Sequence, residues 1–215
     1  MFLKFPRNIF APVMKEKIIE KSAEMFLNLG FKSVTMDDIA QEMGISKKTI
    51  YLHFKNKTEL VHETVMSVFH DIVCGIDHIR EQSKDPIEEL FEIKKFAMVH
   101  LKYEKSSPQY QLQKYYPEVY AAVTEKKFEN MNECTVANLE RGVASGVYRS
   151  NIDVPFISRI YFLCLSGLSD ESYFPTDRFP KIKTMADFLE YHLRGIVTAK
   201  GAKKLDTLLN QQENA

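Results

Sequence analysis

The chain has 215 residues, of which 45% are apolar and 27% charged, as in an ordinary globular protein. Lysine plus arginine and aspartate plus glutamate number 29 each, so a strongly basic protein is excluded and any surface for nucleic acid must be local. The three cysteines, Cys74, Cys134 and Cys164, are far apart, which favours free thiols over a disulfide framework or a zinc site.

The N-terminal segment MFLKFPRNIF is interrupted by Lys4, Pro6 and Arg7, so it does not fit a signal peptide. No apolar run is long enough to cross a bilayer. We therefore expect a cytoplasmic protein without a membrane partner. Met14 directly precedes the first predicted helix, so residues 1–13 are either a short arm or an extension ahead of the true start.

Helical patterns punctuated by Gly and Pro cover the chain, and strand-like alternation is absent from the sequence. The first predicted helix spans residues 15–29 and stops at Gly30. The other predicted helices span residues 36–43, 47–53, 57–81, 86–103, a short stretch after SSPQYQ, 117–144, 154–168 and 182–200, the last ended by Gly201 and followed by a frayed tail.

Polar residues stand where several of these helices begin. Their spacing predicts capping boxes and single caps, in which a side-chain oxygen accepts from a free backbone N–H of the first turn. The predicted caps are Thr35 with Asp38, Ser46, Asn56 with Glu59, and Asp153.

The functional signal lies in residues 35–60, TMDDIAQEMGISKKTIYLHFKNKTEL. Its apolar residues are spaced to meet in one small core, Ala40 is small where a second helix must cross closely, and Gly44 suits a tight turn. Two short helices joined in this way predict a helix-turn-helix, whose second helix enters the major groove with its N-terminal residues leading.

Charge supports this interpretation. From Met43 to Lys57 the chain carries four lysines and no acidic residue, while the remainder of the protein balances that charge. A basic patch on a neutral protein is suited to attracting phosphate at one face.

The motifs FLNLGF, T-x-x-D-I-A-x-x-x-G-I-S and Y-x-H-F-x-N-K-x-E-L together resemble the DNA-binding domain of the TetR family of transcriptional regulators. The resemblance covers roughly residues 15–61, and the remainder resembles the family in length and helical layout. It implies an all-α protein with a small three-helix DNA-binding domain at residues 1–60. A larger helical bundle for ligand sensing and dimerisation would occupy residues 61–215.

The resemblance also implies how the domain reads DNA. Lys47, Lys48 and Thr49 would lead the recognition helix, and Lys57 would reach a phosphate. Either Lys47 or Lys48 alone is equally consistent with a solvated lysine, and Phe54 is expected in the core rather than on DNA. The full set of expected DNA-binding residues is Thr35, Ser46, Lys47, Lys48, Thr49, Tyr51, His53 and Lys57.

Aromatic residues are dense in the middle helices. At helical spacing such residues are more often core than ligand contacts, but the tyrosines of QYQLQKYYPEVY combine apolar area with a hydrogen-bonding tip. The family implies a pocket for an apolar or amphipathic effector. The residues that we expect to line it are Phe69, Phe96, Tyr103, Tyr110, Tyr115, Tyr116, Tyr120 and Phe128.

The last two predicted helices have wide apolar faces. Residues 154–168 are apolar on nearly every side, and Leu189, Leu193 and Ile196 continue a stripe along the final predicted helix. We expect a homodimer through these two helices, which would place two reading heads on a palindromic operator of double-stranded DNA. The alternative is a monomer that hides both faces internally.

No catalytic set is visible, and neither a cofactor nor a metal is expected. His62 and Glu63 are followed by Met66 where a zinc-protease motif needs histidine. We expect a sequence-specific transcriptional regulator, most simply a repressor released by its effector, although repression rests on family analogy. The alternatives are a helical enzyme, and a protein-interaction module or small-molecule-binding protein without DNA regulation; the basic patch disfavours all of them.

Overall fold

The computed structural model describes residues 13–82, 85–101 and 108–213. These residues form ten helices, which confirms the predicted all-α fold: α1 (Met14–Leu29), α2 (Met36–Glu42), α3 (Lys47–Tyr51), α4 (Lys57–Gln82), α5 (Pro86–Leu101), α6 (Pro108–Tyr115), α7 (Pro117–Ala144), α8 (Val154–Leu168), α9 (Lys181–Ile196) and α10 (Ala199–Glu213). Within the same ranges, β-structure is limited to one antiparallel bridge between Tyr148 and Val197. No helix among them is long and apolar enough to cross a membrane.

The helices group into two compact units. Unit 1 comprises the described residues up to Gly75 together with Val99–Lys127, and unit 2 comprises Ile76–Met98 with the described residues from Phe128 onwards. Unit 1 therefore extends beyond the predicted DNA-binding domain, because Leu112 and Val119 of α6 and α7 are buried in the same core as α1–α4. The functional division near residue 60 stays a prediction.

The core of unit 1 is built from apolar side chains that each of α1–α4 contributes. Ile18 and Phe26 of α1, Ile39 of α2, Ile50 of α3 and Leu60 of α4 are all fully buried. Helices as short as α2 and α3 are marginal alone, so this shared core holds them in place.

Unit 2 contains a buried polar network beside its apolar core. The Glu89 carboxylate, 1% exposed, accepts from Asn138 Nδ2 at 2.8 Å and from the Arg141 guanidinium. The Tyr148 hydroxyl donates to Asn138 Oδ1 at 3.1 Å. Burial strongly raises the pKa of Tyr148, which keeps that hydroxyl protonated as the donor. Each member of the network has a partner, which is the condition for burying such groups.

Two predicted caps outside the helix-turn-helix are confirmed. Asp153 accepts from the Phe156 N–H at 3.0 Å at the start of α8. Asn56 accepts from the Glu59 N–H at 2.9 Å at the start of α4. The Glu59 carboxylate in turn accepts from the N–H of Lys55, one residue before the position that a capping box requires.

The prediction of one final helix ending at Gly201 is wrong. α9 ends at Ile196, Val197 is extended (φ −71°, ψ 153°), and α10 follows. The break occurs because Arg149 N–H donates to the Ile196 carbonyl at 2.8 Å and Thr198 N–H donates to the Val147 carbonyl at 2.9 Å. Gly201 lies inside α10, where a Cβ atom would approach the Val147 carbonyl oxygen to 2.2 Å.

Candidate nucleic-acid interface

The start of α2 is fixed by a reciprocal capping box. Thr35 Oγ1 accepts from the Asp38 N–H at 3.1 Å, and Asp38 Oδ2 accepts from the Thr35 N–H at 2.8 Å. The Thr35 N–H and the Thr35 hydroxyl both donate to Asp38 Oδ2, and these two hydrogen bonds hold the pKa of Asp38 below its ordinary value. The predicted cap is confirmed, and Thr35 lies exposed at the N-terminus of α2.

The turn between α2 and α3 has the geometry of a helix-turn-helix. Gly44 has φ +64°, in the region that favours glycine. Ile45 N–H returns to the Ala40 carbonyl at 3.0 Å, and Ser46 Oγ then caps α3 by accepting from the Thr49 N–H at 3.1 Å. The five-residue recognition helix therefore begins at Lys47, with Ser46 as its N-cap, as predicted.

The recognition helix presents its polar side chains outwards. Ile50 and Phe54 are buried, whereas Lys47 and Lys48 are exposed and Tyr51 is 46% exposed. Thr49 and His53 are half-buried at the sides of this exposed face. Phe54 belongs to the core, as predicted.

The two leading lysines differ in their partners. Lys47 Nζ lies 2.8 Å from Asp37 Oδ2, whose hydrogen bond raises the pKa of the lysine, and 6.0 Å from the centroid of the Tyr51 ring. Within the described residues, Lys48 has no ion-pair partner. Lys48 is therefore the more available cation at the front of α3, since its ammonium is not shared with a carboxylate.

Lys57 makes contacts within the protein, in addition to the DNA phosphate contact predicted for it. Its Nζ donates to the carbonyl of Phe31 at 2.5 Å and to that of Lys32 at 3.4 Å, with the Phe26 ring centroid 6.0 Å away. Burial lowers the pKa of this ammonium. Lys57 thus ties the first turn of α4 to the α1–α2 turn. An ammonium has three N–H donors, so one remains for the predicted phosphate contact.

The predicted effector-lining residues are divided between the two units. Phe69, Tyr110, Tyr115, Tyr116 and Tyr120 belong to unit 1, and only Tyr116 and Tyr120 of these pack against its core cluster. Tyr110 and Tyr115 are 58% and 37% exposed.

Two of the remaining predicted lining residues, Phe96 and Phe128, belong to unit 2, while Tyr103 lies outside the described residues. Phe128 packs edge-on against Phe162, with ring centroids 5.0 Å apart.

Unit 2 also has a surface depression that the sequence did not predict. Its lining residues are Leu168, Phe174, Phe179, Thr184, Asp187, Phe188 and Tyr191. Two of them, Phe174 and Phe179, come from a segment that the sequence marked only as a loop, ESYFPTDRFPK, and these phenylalanines were the available signal. Phe174 and Phe179 pack edge to face at 5.3 Å.

The histidines of α4 contact residues of their own helix. His62 Nδ1 lies 3.9 Å from Glu63 Oε1, His70 Nε2 lies 3.5 Å from Cys74 Sγ, and His78 pairs with Gln82 at 2.9 Å. In the part of the chain that the structure describes, no group of three or more His, Cys, Asp or Glu side chains is placed to hold a metal ion.

Comparison with known proteins agrees with the helix-turn-helix geometry. Residues 18–64 match the family described as bacterial regulatory proteins, tetR family. The chain is 24% identical over 192 residues to the HTH-type transcriptional repressor KstR2 of Mycolicibacterium smegmatis, an alignment that spans 88% of this chain and 93% of that protein.

Two solved structures share the fold. A transcriptional regulator from Cytophaga hutchinsonii has a TM-score of 0.72 at 19% identity, covering 85% of this chain and 98% of that one. A putative transcriptional regulator from Saccharomonospora viridis in complex with choline has a TM-score of 0.70 at 16% identity, covering 86% and 97%.

The fold and the exposed helix-turn-helix define a DNA-binding transcriptional regulator with an appended helical domain. More particularly, residues 18–64 match the DNA-binding domain of the TetR family, as the motifs predicted, and the full-length similarity to a repressor agrees with that match. Since proteins of this family are regulators, the prediction that the chain is not an enzyme is also confirmed.

Proposed function

We propose that the chain represses transcription as a homodimer on a palindromic operator, in the cytoplasm, and leaves that operator when a small hydrophobic or amphipathic effector binds. The observation that carries the proposal is the recognition helix, which exposes Lys47, Lys48 and Tyr51 while Ile50 anchors it in the core. The Mycolicibacterium relative is a repressor, which favours repression over activation here.

Dimerisation is supported by an apolar stripe on α8. Phe156, Ile160 and Leu163 lie at helical spacing and are 58%, 37% and 61% exposed. Tyr191 of α9 is 78% exposed. An exposed apolar stripe is typical of a surface that another protein covers, and a two-fold dimer would supply the second reading head.

The face of α9 that the sequence assigned to the dimer packs within its own protomer. Leu189, Leu193 and Ile196 are 3%, 0% and 3% exposed in the core of unit 2. We therefore place the proposed dimer contact on the opposite, exposed side of α9 and on the stripe of α8.

The proposal of an effector site rests on the resemblance to the family and on the aromatic residues that we expect to line the site. The Saccharomonospora relative binds choline, and a related small-molecule site is proposed here without a chemical identity beyond an apolar body with few polar groups. Phe128 is the lining residue that we favour first, because its half-buried ring lies against Phe162. Phe96 belongs to the same unit.

The test is a titration of the full-length protein against duplexes enriched from a random DNA pool, with sedimentation of the saturated complex. The proposal expects two protomers on each half-site pair and a loss of affinity for Lys48→Ala. Lys203→Ala, an exposed lysine of α10, is the matched control. Sequence-independent binding by single protomers would contradict the proposal, and failure to bind any duplex would favour an interaction module without DNA regulation.

A further inference from the structure

We propose that Lys32 and Lys114 form a second phosphate-binding site, which holds the DNA backbone beside the helix-turn-helix; this inference rests on the proposed function. The two lysines come from the α1–α2 turn and from α6, both within unit 1. Neither residue belongs to the motif through which the family resemblance assigns DNA contacts.

Both ammonium groups lie near the same aromatic ring. Lys32 Nζ is 5.2 Å and Lys114 Nζ is 5.6 Å from the centroid of the Tyr115 ring. Lys114 Nζ also donates to the Tyr110 hydroxyl at 3.1 Å. The four side chains are exposed, so a ligand can reach them from solvent.

The charges of this cluster are not balanced locally. Among residues 13–82, 85–101 and 108–213, no carboxylate forms an ion pair with Lys32 or Lys114. Two cations beside one ring repel each other, and the ring face offsets this only in part. A phosphate group would relieve that repulsion, since lysine binds phosphate as a point charge and tyrosine hydroxyls donate to its oxygens.

Contacts between α6 and the turn hold the two lysines together. Gln111 Oε1 accepts from the Lys32 N–H at 3.4 Å, and its amide covers Gly30 so closely that a Cβ there would lie 2.7 Å from it. The Phe31 ring meets Tyr116 edge-on at 6.3 Å. The packed contact between α6 and the α1–α2 turn therefore fixes the backbone positions of both lysines.

The position of the cluster points to DNA rather than to a free anion. The carbonyl of Lys32 itself accepts from Lys57 Nζ, and Thr35 follows three residues later at the start of α2. Lys57 is predicted to contact a phosphate and Thr35 is among the predicted DNA-binding residues, so Lys32 and Lys114 would extend that line of contacts along the strand.

The experiment measures operator affinity against salt concentration for Lys32→Gln/Lys114→Gln and for the control Lys95→Gln/Lys203→Gln, which removes two exposed lysines of unit 2. The proposal expects the log–log salt slope of the first variant to fall by about 1 per lysine, with weaker binding to all sequences. The control should keep the wild-type slope.

A slope equal to that of the control overturns this inference and leaves the proposed function intact. Thermal unfolding in the presence of inorganic phosphate tests whether the site binds a free phosphate ion instead of the DNA backbone. If phosphate stabilises the wild type but not Lys32→Gln/Lys114→Gln while the DNA slope is unchanged, the site takes a free anion and the assignment to DNA is wrong. A wild-type protein that binds no duplex would overturn the proposed function together with this inference.

Discussion

The Lys57 ammonium donates to the Phe31 carbonyl at 2.5 Å and thereby joins the first turn of α4 to the turn that precedes α2. The residue that the family motif assigns to a phosphate is thus also a brace within the DNA-binding unit. The two roles can be separated, because bracing affects stability without DNA and the phosphate contact affects binding.

Replacing Lys57 with methionine tests the brace. The substitution keeps the apolar stem near Phe26 but leaves the Phe31 carbonyl without its donor. We expect the free energy of unfolding to fall by about 1–2 kcal/mol in urea titration. Lys55→Met, at an exposed neighbour, should have little effect. Equal stability of both variants would show that Lys57 does not brace the turn.

The cap of the recognition helix gives a second prediction. Ser46→Ala removes the acceptor for the Thr49 N–H, so we expect a loss of about 1 kcal/mol in stability and weaker DNA binding as α3 frays. Ser46→Asn should retain the stability, since asparagine caps equally well, and exposed Ser33→Ala is the control. A Ser46→Ala protein as stable as Ser33→Ala would contradict this account of the cap.

Helix caps could be predicted from the sequence because the two residues of each hydrogen-bonded pair lie three or four positions apart in the chain. The capping pairs Thr35–Asp38 and Ser46–Thr49 are local, and the glycine turn at Gly44 needs no distant neighbour. The second role of Lys57 was missed, since its acceptor Phe31 lies 26 residues earlier in the chain.

Two glycines test the break between α9 and α10. Gly201→Ala should lower stability, because its Cβ would lie 2.2 Å from the Val147 carbonyl oxygen, an atom of the backbone. Gly195→Ala in α9 meets no atom within 4 Å, so it should be neutral or stabilise by up to about 1 kcal/mol. Differential scanning calorimetry compares the two directly, and the same effect in both variants would argue against α10 packing on Val147.

This break could not be predicted, because its causes are far away in sequence. The hydrogen bonds from Arg149 to Ile196 and from Thr198 to Val147 join segments about fifty residues apart. A Gly after a helical pattern indicates a C-terminus when read alone. The same limit applies to α9. The spacing of its residues identified an apolar face, but it could not show that Leu193 packs in the core of its own protomer.

The aromatic cluster around His192 predicts a pH dependence. Burial lowers the pKa of His192 to about 4, with the Tyr161 ring 4.7 Å and the Phe188 ring 5.9 Å away. Burial also raises the pKa of Tyr161 to about 12, so that neighbour stays neutral. Because the unfolded chain protonates near pH 6.5 and the folded chain does not, stability should fall as the pH drops from about 6.5 towards 4.

His192→Phe should flatten that part of the stability profile, since it keeps a ring in place without a titrating group. His70→Gln, at an exposed position of α4, is the control and should keep the wild-type profile. Urea unfolding at pH 7.5 and pH 5 supplies the measurement. An unchanged decline in His192→Phe would mean that other groups cause it.

The proposed dimer contact is tested at Leu163, which is 61% exposed on α8. Leu163→Glu would place an unpaired charge in an apolar interface, at a cost of several kcal/mol, while leaving the protomer folded. Sedimentation should show monomers at micromolar concentration and operator affinity should fall. Gln211→Glu adds the same charge on α10 and should remain dimeric. A Leu163→Glu protein that stays dimeric would place the contact elsewhere.

Selection of bound sequences from a random duplex pool tests the central claim most directly, namely that α3 of this regulator reads an operator. The account predicts enrichment of a two-fold symmetric sequence by the wild type. It also predicts loss of that enrichment for Lys48→Ala with Tyr51→Ala, two residues exposed on α3. Enrichment of the same sequence by the double variant, or no enrichment by the wild type, would contradict it.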